Sequence, residues 1–169
     1  MPMSINRSAA VAPSTPIAIA LLPGGGDTLS GMGVAMTFKT TGAQSGGQWL
    51  VMEYTAPPQF GGPPPQWHKI MTEIFYVLEG TLTLSAGDET IQAGLGRYAY
   101  VPPGTVHGFC NQSDAPAKYL LIASPAGLDS YFAEVKALLD EEPVWPPQDM
   151  SKLVALMAKY DTFAPETRT

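Results

Sequence analysis

The chain is poor in the residues that most often carry chemistry. It has a single cysteine, Cys110, so no internal disulfide can form, and two histidines, His68 and His107. Charged residues make up 14% of the sequence, with nine Lys and Arg against 15 Asp and Glu, a net charge of −6. An acidic surface of this kind repels phosphate backbones and anionic membranes, so neither nucleic acid nor membrane is an expected partner. No apolar run approaches the ~20 residues of a membrane span. The stretch Ile17 to Leu22 is too short for a signal-peptide core and reads as a strand, which leaves the cytoplasm as the expected compartment. Disorder is excluded by a hydrophobic content of 45%, and 169 residues suit one domain.

Glycine and proline, 17 of each, fall between short apolar runs rather than in low-complexity blocks. Residues 1–15 read as a loose polar arm. From there to Ala123, turn signals such as Gly46-Gly47, Glu79-Gly80, Gly87-Asp88, Pro103-Gly104 and Asp114-Ala115-Pro116 separate runs such as Trp49–Tyr54, Ile74–Leu78, Thr81–Leu84 and Tyr119–Ala123. Strands at this spacing predict an antiparallel barrel or sandwich over residues 16–127. After Ser124-Pro125 the period changes. Leu128, Tyr131, Phe132, Val135, Leu138 and Leu139 recur at helical spacing, with Asp129 or Ser124 near the start. A second helical run, Leu153 to Tyr160, begins near Asp149. The expected fold is all-β, an antiparallel β-barrel or jelly roll, with a two-helix C-terminal appendage (residues 128–169) packed on it.

The two histidines lie in two separate segments. Gln66 and His68 are two apart, so on an extended strand both point to one face. Glu73 opens the next apolar run, and His107 follows the Pro102-Pro103-Gly104 turn. In a barrel the inward faces of different strands converge. Gln66, His68, Glu73 and His107 would then offer an amide oxygen, two imidazoles and a carboxylate to one ion. Such N/O ligation suits Zn, Fe(II), Mn, Co or Ni. Trp49, Met52, Phe75 and Phe109 are candidate linings of a substrate pocket. Cys110, out of phase with His107 and Phe109, reads as a buried, inert thiol, and Asn111 as a scaffold residue.

The two segments closely resemble the two motifs of the cupin superfamily. In the first, Gln66-x-His68, then Glu73 after four residues and Gly80 after six more, every spacing matches, with Gln in place of the first histidine. In the second, Gly96, Pro102, Gly104, His107 and Asn111 all match. A Gln-x-His pair with a Glu and a further His is similar to the zinc site of type I phosphomannose isomerases, so the resemblance is compatible with Gln66 as a fourth ligand.

The resemblance is strongest to the single-domain cupins grouped with quercetin dioxygenases. It implies a metal-dependent oxidoreductase, a quercetinase-like dioxygenase acting on an aromatic or polyketide-like small molecule, with Glu73 as ligand and, when detached, as catalytic base. The alternatives are a redox-neutral isomerase, cyclase or lyase that uses the ion as a Lewis acid, and a non-catalytic cupin that binds a small molecule. The resemblance also implies a homodimer.

Overall fold

The computed structural model of the protein describes residues 18–141 and 147–166. Among these residues nine strands run in chain order: β1 (Asp27–Gly31), β2 (Val34–Thr40), β3 (Leu50–Ala56), β4 (Thr72–Glu79), β5 (Thr81–Ala86), β6 (Glu89–Gly94), β7 (Tyr98–Val101), β8 (His107–Cys110) and β9 (Ala117–Ser124). Two helices follow, α1 (Leu128–Glu141) and α2 (Met150–Lys159). The strands form a six-stranded sheet in the order β1-β2-β3-β9-β4-β7 and a three-stranded sheet in the order β6-β5-β8. Every pairing between the strands is antiparallel. The two sheets are joined by no continuous ladder, so the fold is a jelly-roll sandwich rather than a closed barrel.

Strand alternation decides which residues enter the core. Along β3 the buried positions are Leu50, Met52, Tyr54 and Ala56, and along β9 they are Ala117, Tyr119, Leu121 and Ala123. On β4 the same rule buries Glu73, Phe75 and Val77. A carboxylate thus shares a strand face with two core hydrophobes, because the side-chain period is two. Tyr54, Phe75, Phe109 and Tyr119 form the aromatic centre of this core, and the Tyr54 and Tyr119 rings stack at 5.1 Å.

Two glycines are required by geometry. Gly80, in the β4–β5 turn, has φ +70°, and a Cβ there would lie 2.4 Å from the Pro116 carbonyl oxygen. At Gly62, just ahead of Gln66, φ is +78° and a Cβ would lie 1.7 Å from the Phe109 carbonyl oxygen. Any side chain at Gly62 would push the first ligand segment off β8.

Three expectations need correction. Residues 18–22 form no strand, and Ile19, Leu21 and Leu22 are exposed. The run is apolar, but no neighbouring strand pairs with it, and apolar composition without a partner does not make a strand. Cys110 is half-buried rather than buried. Asp129 lies inside the first turn of α1, and its carboxylate accepts the Gly42 N–H at 2.7 Å. Residues 1–15, read as an arm, lie outside the described residues.

The helices are not freestanding. Leu128 belongs to the sandwich core, and Tyr131 and Phe132 pack against it. Val135, Leu153 and Leu156 form a second small core between α1 and α2. Asp149 caps α2, accepting the Ser151 N–H at 3.0 Å. Glu134 of α1 takes both Lys159 and the Tyr160 hydroxyl from the end of α2. Among the described residues no helix is long and apolar enough to cross a membrane.

Candidate metal centre

The two histidine segments meet because Gln66 pairs with His107 across a local bridge. The Gln66 N–H donates to the His107 carbonyl at 2.9 Å, and the His107 N–H returns to the Gln66 carbonyl at 2.8 Å. The bridge fixes the register between the first segment and β8. His68, two residues on, then faces His107, with the ring centroids 5.2 Å apart. β4 supplies Glu73 from the opposite sheet. His68, Glu73 and His107 each offer a ligand atom, and these atoms all lie within 4.8 Å of one another. All three side chains are only 2% exposed, too deep for a solvated surface cluster.

The hydrogen bonds on the far side of each ring decide what the near side offers. The His68 Nδ1 lies 2.8 Å from the Asp161 carbonyl oxygen, and the His107 Nδ1 lies 2.9 Å from the Thr105 carbonyl oxygen. A carbonyl only accepts, so both Nδ1 atoms carry the proton. In the neutral rings both Nε2 atoms are therefore bare lone pairs turned toward Glu73. The His107 Nε2 lies 2.8 Å from Glu73 Oε2. Two acceptors at that distance need a proton or a cation between them. The His68 Nε2 stands 3.7 Å from the same oxygen, fully buried, with no hydrogen-bond partner. An orphaned buried nitrogen, a second nitrogen and a carboxylate facing one point fit a divalent transition ion, with each imidazole held from behind by a carbonyl.

The electrostatics agree. Burial alone would raise the Glu73 carboxyl, but the hydrogen bond with His107 and the electrostatic attraction of both imidazoles bring it down to about 2. Burial works to lower the His68 imidazole, yet it is held above its ordinary value, first by Glu73 and then by Asp161. Without an ion, Glu73 contributes stability above 4.5, lost as pH falls toward about 2. His68 contributes stability below 6.5, lost as pH rises through its raised value. A bound cation would take the place of that proton. The rise in melting temperature caused by Zn(II) should therefore grow as pH rises above 6.5 through the raised value of His68. A thermal-shift series at fixed Zn(II) measures it, and a flat profile would mean that the ion does not displace the His68 proton.

The other expected site residues separate. Gln66 is half-buried and borders, together with Glu73 and Thr162, a cavity of about 210 Å³. Met52 and Phe109 line this cavity. Phe75 is buried beneath it in the aromatic core and does not line it. Trp49 precedes β3, is 48% exposed and lies outside the lining. Alternation could not place it, because the strand begins one residue later. Most of the remaining wall is apolar and comes from the β1–β2 turn and both helices, including Met32, Tyr131, Phe132, Met150 and Met157. Burial pushes the Tyr131 phenol up to about 12 and Tyr54 higher still, so both cavity phenols keep their protons.

The sequence reading missed the support supplied by the segment after α2. Besides Asp161, Thr162 is buried behind His68, and the Trp67 and Phe163 backbones exchange two hydrogen bonds of 2.9 Å. Nothing in the sequence around residues 160–163 marks a metal site, and the contact spans more than ninety positions.

Comparison with known proteins bears on the fold. Residues 52–123 match the family model of the cupin domain. No curated protein matches the sequence. Among solved structures, the fold is similar to KdgF from a Halomonas species, at 15% identity over 68% of this chain and 99% of that one, with a TM-score of 0.58. It is also similar to the polyketide cyclase RemF from Streptomyces resistomycificus, at 23% identity over 64% and 80%, with a TM-score of 0.54. A predicted oxalate decarboxylase from Thermotoga maritima shares 17% identity over 59% and 90%, with a TM-score of 0.53. At these identities the likeness is one of fold. The stretch that matches the cupin-domain model, residues 52–123, contains His68, Glu73 and His107.

Proposed function

We propose that the protein is a metal-dependent cupin oxidoreductase, a quercetinase-like dioxygenase acting on an aromatic or polyketide-like small molecule. The reading rests on one observation. Two bare imidazole nitrogens and a carboxylate converge beside an apolar, aromatic-walled cavity in which Glu73 is the only charged lining residue among the described residues. His68, Glu73 and His107 would hold the ion, with Gln66 as a fourth, oxygen-donating ligand. When bound, the ion would polarise a substrate oxygen and bring dioxygen chemistry within reach of the ring system.

The protein's own groups do the rest. The cavity wall strips water from a flat apolar substrate and orients its oxygenated edge toward Glu73. Glu73, buried and ionised, would serve as ligand and, when detached from the ion, take the proton from a substrate hydroxyl at its carboxylate oxygen. The Tyr54 and Tyr131 phenols remain protonated and act as donors along the wall. Oxygen uptake by protein reconstituted with Fe(II) or Ni(II), in the presence of flavonols and related polyphenols, tests the reading. Bound polyphenol that turns over without oxygen uptake would move the assignment to redox-neutral chemistry.

One observation favours that second reading, an isomerase, cyclase or lyase. Gln66 borders the cavity where an imidazole would give a stronger donor set, and a weaker set leaves the ion a better Lewis acid. Gln66→His should raise affinity for Zn(II) by about tenfold, following the donor order for late first-row ions, and shift metal preference. Titration of both metal-free proteins measures it. Equal affinities would show that position 66 does not touch the ion.

A further inference from the structure

Asp161 lies just beyond α2, far from either histidine segment in sequence, yet it makes four hydrogen bonds to residues 68–71. Its backbone has φ +57°, a left-handed conformation that aspartate tolerates better than most residues. Its carbonyl accepts the His68 Nδ1–H at 2.8 Å. Its carboxylate reaches the other way. Oδ1 accepts the Lys69 N–H at 3.0 Å, and Oδ2 accepts the Ile70 and Met71 N–H groups, each at 2.8 Å. Three successive backbone donors thus converge on one carboxylate. Those three residues are the bend that separates His68 from the strand carrying Glu73. Asp161 therefore grips the loop between two ligand residues with its side chain and orients the first with its main chain.

Simple structural bracing does not account for both contacts. Two of the three N–H groups belong to exposed residues, Lys69 and Ile70, with water available in place of the carboxylate, and only Met71 is buried. The carbonyl, by contrast, faces a buried imidazole whose other nitrogen is the orphan of the site. The carboxylate anchors the carbonyl, and the carbonyl fixes which His68 nitrogen is free.

We propose that Asp161 is a positioning residue for the metal centre: it locks His68 as an Nε2 ligand and ties the C-terminal helices to the first histidine segment. This rests on the metal reading above, and the experiment separates the two. Full-length wild type, Asp161→Gly, Asp161→Asn and His68→Ala are titrated with Co(II), and the absorption bands of the bound ion are recorded. Glycine keeps the carbonyl and the left-handed backbone while removing only the carboxylate. It should weaken Co(II) binding by about tenfold to a hundredfold, the usual cost of removing a group that holds a ligand from behind. Asparagine has one acceptor oxygen for three N–H groups and should fall between glycine and wild type, which keeps the test valid if the glycine variant folds poorly.

A second readout is specific to His68. In the zinc-loaded protein each of the two imidazoles carries an Nδ1–H proton visible by NMR. In Asp161→Gly the His68 proton should exchange at least about tenfold faster, reflecting the lost grip on its acceptor, while that of His107, held by Thr105, stays as in wild type. A purely structural role would change both protons or neither. Binding lost in His68→Ala but kept within about threefold of wild type in both Asp161 variants would overturn the inference alone. No Co(II) uptake by wild type, or equal uptake by His68→Ala, would overturn the metal reading and the inference with it.

Discussion

Replacement of His107 by alanine should abolish tight metal binding. Removing the groups that hold a ligand from behind costs about tenfold to a hundredfold, and deleting one of only two nitrogen donors should cost more than about a hundredfold. His68→Ala should do the same to affinity. The two variants should differ without metal. His107 lies 2.8 Å from Glu73 and His68 lies 3.7 Å away, so the former makes the larger single contribution to keeping a fully buried carboxylate ionised. His107→Ala leaves that charge facing only His68 at 3.7 Å, and breaking a buried pair outright costs about 3–5 kcal/mol, the upper limit here. Thermal melts of the metal-free variants should therefore rank His107→Ala below His68→Ala, with both far weaker than wild type in isothermal titration with Zn(II). Unchanged titration curves in both would remove the metal centre from this fold.

The largest effect on stability away from the site should come from Asn111. It is 0% exposed, and its side chain joins three stretches of chain. Nδ2 donates to the carbonyls of Ala56, Pro57 and Ala115, and Oδ1 accepts from the Ser113 N–H and hydroxyl. Alanine at this position strands several of these groups where water cannot reach all of them, at about 1–3 kcal/mol for each buried group left unsatisfied. We expect Asn111→Ala to lose about 3 kcal/mol and about 10 °C in melting temperature. Asp at this position should be no better, because a carboxylate cannot donate to three carbonyls. Metal affinity of the folded fraction should stay near wild type, since Asn111 touches none of His68, Glu73 and His107. A loss below about 1 kcal/mol would mean that the loops re-pair without it.

What could be read from the sequence was what is local. The spacing Gln66, His68, Glu73 and the pair His107, Asn111 are set within single turns and strands, so strand alternation and turn chemistry sufficed to bring the histidines and Glu73 to one place. The helices were legible from periodicity, and their packing followed from the apolar face of α1. What stayed hidden depended on partners remote in sequence. Ile19 to Leu22 have strand composition but no neighbour to pair with. Trp49 has the chemistry of a pocket residue but sits one position before its strand begins. Asp161 reads as an ordinary helix-end residue, and its role depends on the whole path of α1 and α2 back across the sandwich.

The cavity wall carries one more consequence. Met32, Met52, Met150 and Met157, four of the eight methionines in the chain, line it, contributed by a hairpin turn, a strand and a helix. Thioether side chains are unbranched, polarisable and turn readily between rotamers, so they yield where a leucine or phenylalanine wall would clash. The same lining also holds Pro63, Pro64 and aromatic rings, which do not yield. The pocket thus combines stiff and pliable stretches of wall. Selectivity would be strict for the part of a ligand that slides past the prolines toward Glu73 and lax for the substituents that lie on the methionines. Relatives of one parent scaffold, differing in bulk at a single edge, would then be accepted with similar affinity.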